Sequence, residues 1–215
     1  MVRAIMHGCN GKMGRAITTL AKEDAEVEIV AGVDVYTEVV NEYPVFESIE
    51  KCDVEADVVI DFSNAKAVDG LLDYCVEKQI PVVLCTTGLS EEQLQEVEEA
   101  SKKVAVLRSA NMSLGINLLM QLLKEATKAD GQYEYVYDRS QVRKKRDKKE
   151  LGISAVRGGT IVGEHEVLFA GIDEVIEFKH TAYSRTVFGK GAVEAAKFLA
   201  GKESGMYDMS DVVGL

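Results

Sequence analysis

The chain has 215 residues, 47% of them hydrophobic, and carries 36 acidic side chains against 25 basic ones for a formal net charge of −11. That length is long for one compact domain and short for two full ones. The acidic balance argues against general affinity for nucleic acid, and no apolar run approaches the ~20 residues that span a bilayer, so neither nucleic acid nor a membrane is an expected partner.

Val2–Met6 is an apolar, β-branched run and a predicted strand, and the chain enters it so directly that no signal peptide is expected. Gly8-Cys9-Asn10-Gly11-Lys12-Met13-Gly14 follows, and Lys12 to Ala21 reads as a helix with Met13, Ile17 and Leu20 on one face. A second strand, Glu28–Val33, leads into Asp34. Asp57–Phe62 is a third, apolar along its length as buried parallel strands tend to be. Ser63 or Asn64 can cap the next helix, in which Val68, Leu71, Leu72, Cys75 and Val76 keep helical spacing. Pro81 to Cys85 is a fourth strand, with proline at its first position. Ser90 and Gln93 make a capping box for an acidic helix to about Lys102, and Val104–Leu107 is a fifth strand. Such alternation predicts an α/β domain, a parallel sheet with helices on both faces.

The second half changes character. A helix from about Leu114 to Lys128 is followed by strand-like runs at Tyr133–Tyr137, Gly152–Val156, Thr160–Glu166, Val167–Ala170 and Glu174–Ala182. They predict a smaller α+β domain with a mostly antiparallel sheet. A last helix, Ala192 to Ala200, is expected to return to the first domain. The boundaries are therefore set at 1–112, 113–184 and 185–215.

Spacing carries the chemistry. Asp34 stands twenty residues beyond Gly14, as in a dinucleotide-binding βαβ unit. Gly8 permits a sharp exit from the strand. Gly11 lets backbone N–H groups approach phosphate, and Gly14 lets the helix pack close. The helix start adds partial positive charge. The spacing G-x-x-G-x-x-G departs from the commoner G-x-G-x-x-G, so the turn alone also fits glycines that merely end a strand. Asp34 can accept both hydroxyls of a ribose, which favours NADH; Lys12 or Arg15 could still reach a 2′-phosphate, which keeps NADPH open. Cys85-Thr86-Thr87-Gly88 and Ser109-Ala110-Asn111-Met112 follow the fourth and fifth strands, where open α/β sheets bind ligands; each by itself also reads as an ordinary strand-to-helix turn.

Other candidates have plain structural alternatives. His165 and His180 read as structural, His180 as a hydrogen-bonded core histidine on the Ile176/Phe178 face. Arg157 and Arg185 are anion contacts or surface arginines. Arg139, Arg143, Lys144, Lys145, Arg146, Lys148 and Lys149 form either a solvated loop or a rim that attracts an anionic small molecule. Cys9, Cys52, Cys75 and Cys85 form no C-x-x-C pair and the three histidines are scattered, so reduced thiols, a cytoplasmic location and no metal site are expected.

These stretches, with Asp61-Phe62-Ser63, 109–117, 157–159, 162–166, 180–185, 188–192 and 201–209, resemble the dihydrodipicolinate (4-hydroxy-tetrahydrodipicolinate) reductase family of diaminopimelate and lysine synthesis. The resemblance implies a Rossmann-like first domain and an oxidoreductase using NADH or NADPH. It places Gly8, Cys9, Asn10, Gly11, Lys12, Met13, Asp34, Cys85, Thr86, Thr87, Ser109, Ala110, Asn111 and Met112 along the dinucleotide, and Arg185 and Phe188 near the nicotinamide. It also implies a dicarboxylate substrate, with Arg157 a candidate contact, and a homotetramer built through the sheet of the second domain.

One departure stands out. After the Leu114–Lys128 helix the family carries a strand ending in E-x-H-H-x-x-K, then D-A-P-S-G-T; the first histidine and the lysine are its proton donors, and the second histidine and the Gly-Thr pair hold the substrate. Here Lys128-Ala129-Asp130-Gly131 passes directly to Gln132, and neither motif occurs anywhere in the chain. Several tens of residues are missing, and no catalytic residue can be assigned. A general acid is worth typically 10²–10⁴-fold, and lost positioning can cost more. The expectation is dinucleotide binding with weak or absent turnover. The alternatives are a non-catalytic dinucleotide-binding protein, as an oligomer partner or redox sensor, and a gene copy without function.

Overall fold

A computed structural model describes residues 1–127, 134–137, 141–145, 147, 149–153, 159–160 and 162–214. The chain divides into two compact units, Met1–Leu118 with Arg185–Leu215, and Leu119–Ser184.

The first unit is built on seven parallel strands. They are β1 (Val2–His7), β2 (Val27–Val33), β3 (Val45–Phe46), β4 (Val58–Asp61), β5 (Val82–Leu84), β6 (Ala105–Arg108) and β11 (Gly205–Tyr207), ordered β11-β6-β5-β4-β1-β2-β3. Chain order runs outward from β1 to β3, then returns to β4 on the other side of β1. The β1–β4 seam is thus the switch point, where loops leave in opposite directions and open a crevice beyond the carboxyl ends of the strands.

Two apolar layers cover the sheet. On one side α1 (Lys12–Lys22) and α5 (Thr186–Leu199) bury Ile17, Ala21, Ala192, Ala196 and Leu199 against Ala4, Met6 and Ile60. On the other, α2 (Val68–Lys78) and α3 (Glu91–Ser101) bury Leu71, Cys75 and Val97 against Ile5, Val59 and Leu84. The alternation of strand residues between these layers is the pleat expressed as packing. Ser90 and Gln93 form the expected reciprocal capping box at the start of α3. Asn64, rather than Ser63, makes the cap before α2: its side chain accepts from Lys66 N–H and starts a 3₁₀ turn, Ala65–Ala67.

Three findings differ from the expectation in this unit, the first being the short edge strand β3, which is absent from the predicted elements. α5 begins at Thr186, six residues before Ala192, and contains Gly189 and Gly191. Glycine lowers helix propensity, which hid this turn. A Cβ on Gly191 would lie 1.7 Å from Met112 O, so the glycine is the price of close packing. β11 and α6 (Met209–Val213) also form from the tail, the helix opened by an Asp208/Asp211 capping box.

The second unit holds most of α4 (Leu114–Thr127), a parallel pair β7 (Glu134–Val136) and β8 (Glu150–Gly152), and an antiparallel hairpin β9 (Gly163–Ala170) and β10 (Val175–Ala182). The two runs expected at Thr160–Glu166 and Val167–Ala170 are one strand. The Tyr133–Tyr137 run contributes β7, paired with β8 and not with the hairpin. One hairpin face carries Val167, Phe169, Ile176 and Phe178, and the other pairs Lys179 with Glu164 and Glu166. Among the described residues no helix is long and apolar enough to cross a membrane.

Candidate functional site

The glycine turn sits where β1 ends. Gly8 N–H and Cys9 N–H both donate to Val33 O, at 2.8 and 3.3 Å, which ties the turn to the end of β2. Gly8 has φ +82°, and a Cβ there would lie 2.6 Å from Phe62 O. A Cβ on Gly14 would lie 2.2 Å from Gly8 O, so α1 packs directly on the turn. Gly11 is the N-cap of α1, no side chain caps it, and the first turn carries no acid. An uncapped helix start, with Gly11 and Lys12 exposed, makes this end suited to phosphate.

Asp34 closes the adjoining end. Its Oδ2 accepts from Asn10 N–H at 2.9 Å and its Oδ1 from Tyr36 N–H at 3.0 Å. The buried Asn10 side chain donates to Tyr36 O and accepts from Asn41 Nδ2 at 3.0 Å. The segment after β2 is thereby laced to the glycine turn. Asn41 and Tyr36 were not singled out from the sequence; amide-bearing residues on both sides of the turn were the available signal.

The loops after β4, β5 and β6 leave from the same end of the sheet. Cys85 is half-buried, Thr86 buried and Thr87 exposed. In the last loop, Asn117 Nδ2 donates to Asn111 O and Ser113 O at 2.7 and 2.8 Å, while Asn111 Oδ1 accepts from Ser113 N–H at 2.9 Å. Ser109 Oγ donates to Asn111 O, and Ala110 is exposed. Met112 packs into the α1/α5-side core at 5% exposure. Arg185 is the exposed N-cap of α5, and Phe188 packs on the edge of that same core.

Beneath these loops lies a buried polar row that the sequence did not reveal. His7 and Asp61 face each other in the β1–β4 register, with Nδ1 2.9 Å from Oδ1. This is ion-pair distance, yet the alignment is not that of a hydrogen bond, so His7 Nδ1 lacks one. Asp61 Oδ1 accepts from Ser63 Oγ at 2.6 Å and Ser63 N–H at 3.2 Å. Burial raises the Asp61 carboxyl, but the close approach and charge of His7, with Ser63 and the nearby Thr86, outweigh it and hold it below the ordinary carboxylate range. Asp61 Oδ2 and Thr86 Oγ1 are buried without an aligned partner. Each such atom costs about 1–3 kcal/mol.

The remaining candidates divide. The four cysteines are free thiols. Burial, then the charge of Asp34, pushes the Cys9 thiol up to about 11. His180 is not the hydrogen-bonded core histidine expected: its Nδ1 is buried without a partner, and its ring lies tilted beside that of His165 across the hairpin, with centroids 5.8 Å apart. Burial first, then the charge of His165, lowers its pKa. Arg157 lies outside the described residues, as do Arg139, Arg146 and Lys148 of the basic run; Arg143, Lys144, Lys145 and Lys149 are exposed. Among the described residues no group of three or more His, Cys, Asp or Glu is set to hold a metal.

The family model "Dihydrodipicolinate reductase, N-terminus" matches residues 2–112, and its C-terminal counterpart matches 120–213. The 4-hydroxy-tetrahydrodipicolinate reductase of Caldanaerobacter subterraneus subsp. tengcongensis is 48% identical over 248 aligned positions, covering 99% of this chain and 98% of the relative. That of Clostridium tetani is 46% identical, over 97% and 96%. The fold is that of the solved dipicolinate-bound dihydrodipicolinate reductase from Paenisporosarcina sp. TG-14, with a TM-score of 0.78 at 17% identity over 98% of this chain and 99% of that one. A glycine turn, an acid after the second strand and three loops at one end of a parallel sheet therefore stand within a chain that belongs to the dihydrodipicolinate reductase family of NAD(P)H-dependent oxidoreductases.

Proposed function

We propose that the Met1–Leu118/Arg185–Leu215 unit holds a reduced nicotinamide dinucleotide and that the chain turns over the family's substrate weakly or not at all. The observation that carries the binding half is the glycine turn, with positive φ at Gly8, no room for a Cβ on Gly8 or Gly14, and an uncapped α1 start facing outward. The pyrophosphate would lie on Gly8 to Met13 and one ribose on Asp34. The nicotinamide half would reach 85–87 and 109–112, with Arg185 and Phe188 on the same unit. When bound, the coenzyme supplies a hydride; the chain's own residues bind it, orient it and screen it from water.

NADH is the preferred coenzyme. A 2′-phosphate would meet the Asp34 carboxylate, which Asn10 and Tyr36 N–H groups hold in place. Two like charges at contact distance repel by about 1 kcal/mol even in water and more at a protein surface.

Weak turnover follows from the absent E-x-H-H-x-x-K and D-A-P-S-G-T motifs. The length of the alignment supports a deletion: 248 positions against 215 residues leaves at least 33 positions of the relative without a counterpart here. The apolar hairpin face with Val167, Phe169, Ile176 and Phe178 suits self-association, and a tetramer is the proposed assembly.

NADH fluorescence on mixing tests binding, and NADH oxidation with freshly generated substrate tests turnover. Enhanced fluorescence with a rate at least about a hundredfold below that of a complete family member is expected, since a general acid alone is worth 10²–10⁴-fold. Turnover at the rate of a complete member would overturn the second half of the proposal and leave the first.

A further inference from the structure

We propose that the buried row His7–Asp61–Thr86 is a positioning device for the nicotinamide half of the coenzyme, with Asp61 setting the loops after β4 and β5 through Ser63 and Thr86. It rests on the dinucleotide reading above.

The pleat puts all three side chains on one face. His7 pairs with Asp61 in register, Asp61 pairs with Leu84, and Thr86 lies two residues beyond Leu84. The same face, one step back along each strand, is apolar: Ile5, Val59 and Leu84 fill it. Apolar side chains at the three end positions would continue that layer without loss, because replacing a buried ion pair by packed hydrophobes is often neutral or stabilising. Instead the strand ends carry a carboxylate at 0% exposure, an imidazole at 6% and a hydroxyl at 7%. Each keeps a polar atom without an aligned hydrogen bond. Packing alone does not account for such a row.

Its connections indicate a task. Asp61 takes both Ser63 N–H and Ser63 Oγ, so it fixes the backbone just beyond β4. That backbone is the back wall of the glycine turn: Phe62 O and Ser63 N are the atoms a Cβ on Gly8 would strike, at 2.6 and 3.1 Å. Thr86 carries the next loop. The glycine turn and Asp34 belong to β1 and β2, so the adenosine side of a dinucleotide lies there; the rest must extend across the seam over β4 and β5. The row therefore bears on the half of the ligand that crosses β4 and β5, and meets the glycine turn only as its back wall, through Phe62 and Ser63.

Two ligands separate the halves. NADH spans the seam, whereas ADP needs only the loops of β1 and β2. Dissociation constants for both are measured on the full chain, unaltered and as Asp61→Ala, Asp61→Asn and Thr86→Val, with circular dichroism to establish folding. Asp61→Ala should weaken NADH about tenfold or more and leave ADP within about twofold, the size expected for lost hydrogen bonds to a charged group. Asp61→Asn, which keeps an acceptor for Ser63, should recover part of the loss. Thr86→Val removes one buried hydroxyl and keeps the shape, so it tests the row if Asp61→Ala does not fold; NADH should weaken about threefold or more, with ADP unchanged. Equal weakening of both ligands, or NADH unchanged in the folded variants, overturns this inference alone. No NADH binding by the unaltered chain overturns the dinucleotide reading and this inference with it.

Discussion

Gly191 sets two effects of opposite sign against each other. Alanine is the better helix former by about 1 kcal/mol. Yet a Cβ at this position would lie 1.7 Å from Met112 O, a backbone atom held by the Asn111–Asn117 loop. Overpacking against backbone costs about 1–3 kcal/mol or more, so Gly191→Ala is expected to destabilise in urea denaturation. A stabilised variant would show that the loop gives way easily. The thiols make a second residue-scale case. Burial first raises the Cys9 thiol, to about 11, and lifts Cys52, Cys75 and Cys85 as well. Raised thiol pKa values mean protonated, unreactive sulfur near neutral pH. Native protein should resist iodoacetamide and become fully alkylated once unfolded; rapid labelling of the native chain would contradict the burial.

Between elements, the α1–β2 turn is fastened to α5 by one cation. Lys197 Nζ lies 2.9 Å from Asp24, 2.9 Å from Glu194 and 3.4 Å from Glu26, at 16% side-chain exposure. Burial disfavours its charge, but the hydrogen bonds it donates to Asp24 and Glu194 prevail and raise its pKa. Lys197→Met would leave three carboxylates facing one another, and a loss of about 1–2 kcal/mol is expected by thermal or urea unfolding. No change would place this network among surface pairs without consequence. The sequence showed the elements better than their connections. β1, α1, β2, β4 and α3 followed from periodicity, turn residues and caps, all local in the chain. The start of α5 did not, because its glycines serve contacts far away in sequence, Gly191 with residue 112 and Gly189 with Ile17 and Leu20. Nor did the His7–Asp61 row, which exists only once β1 and β4 are paired. The glycine turn and Asp34 were legible because their spacing is local; the lacing of Asn10 to Asn41 was not.

At the scale of the whole molecule, Asp24 and Asp61 are among the carboxyls through which acid should act. The hydrogen bond of Lys197 leads in holding Asp24 below the ordinary aspartate value of 3.8; Asp61 is held below it by His7, Ser63 and Thr86 against the effect of burial. A depressed folded value means stability present above 3.8 and lost as pH falls through the folded pKa. The thermal midpoint should therefore hold between about pH 7 and pH 5 and fall below about pH 4, with a shallower fall in Asp61→Asn. An identical acid profile in that variant would contradict the ion pair. Coenzyme binding remains the central matter. Calorimetry of the folded full chain with NADH and NADPH tests it most directly. Saturable heat with both, tighter for NADH, is the expected result; no heat with either coenzyme would contradict a nucleotide cradle at the carboxyl ends of β1, β2 and β4.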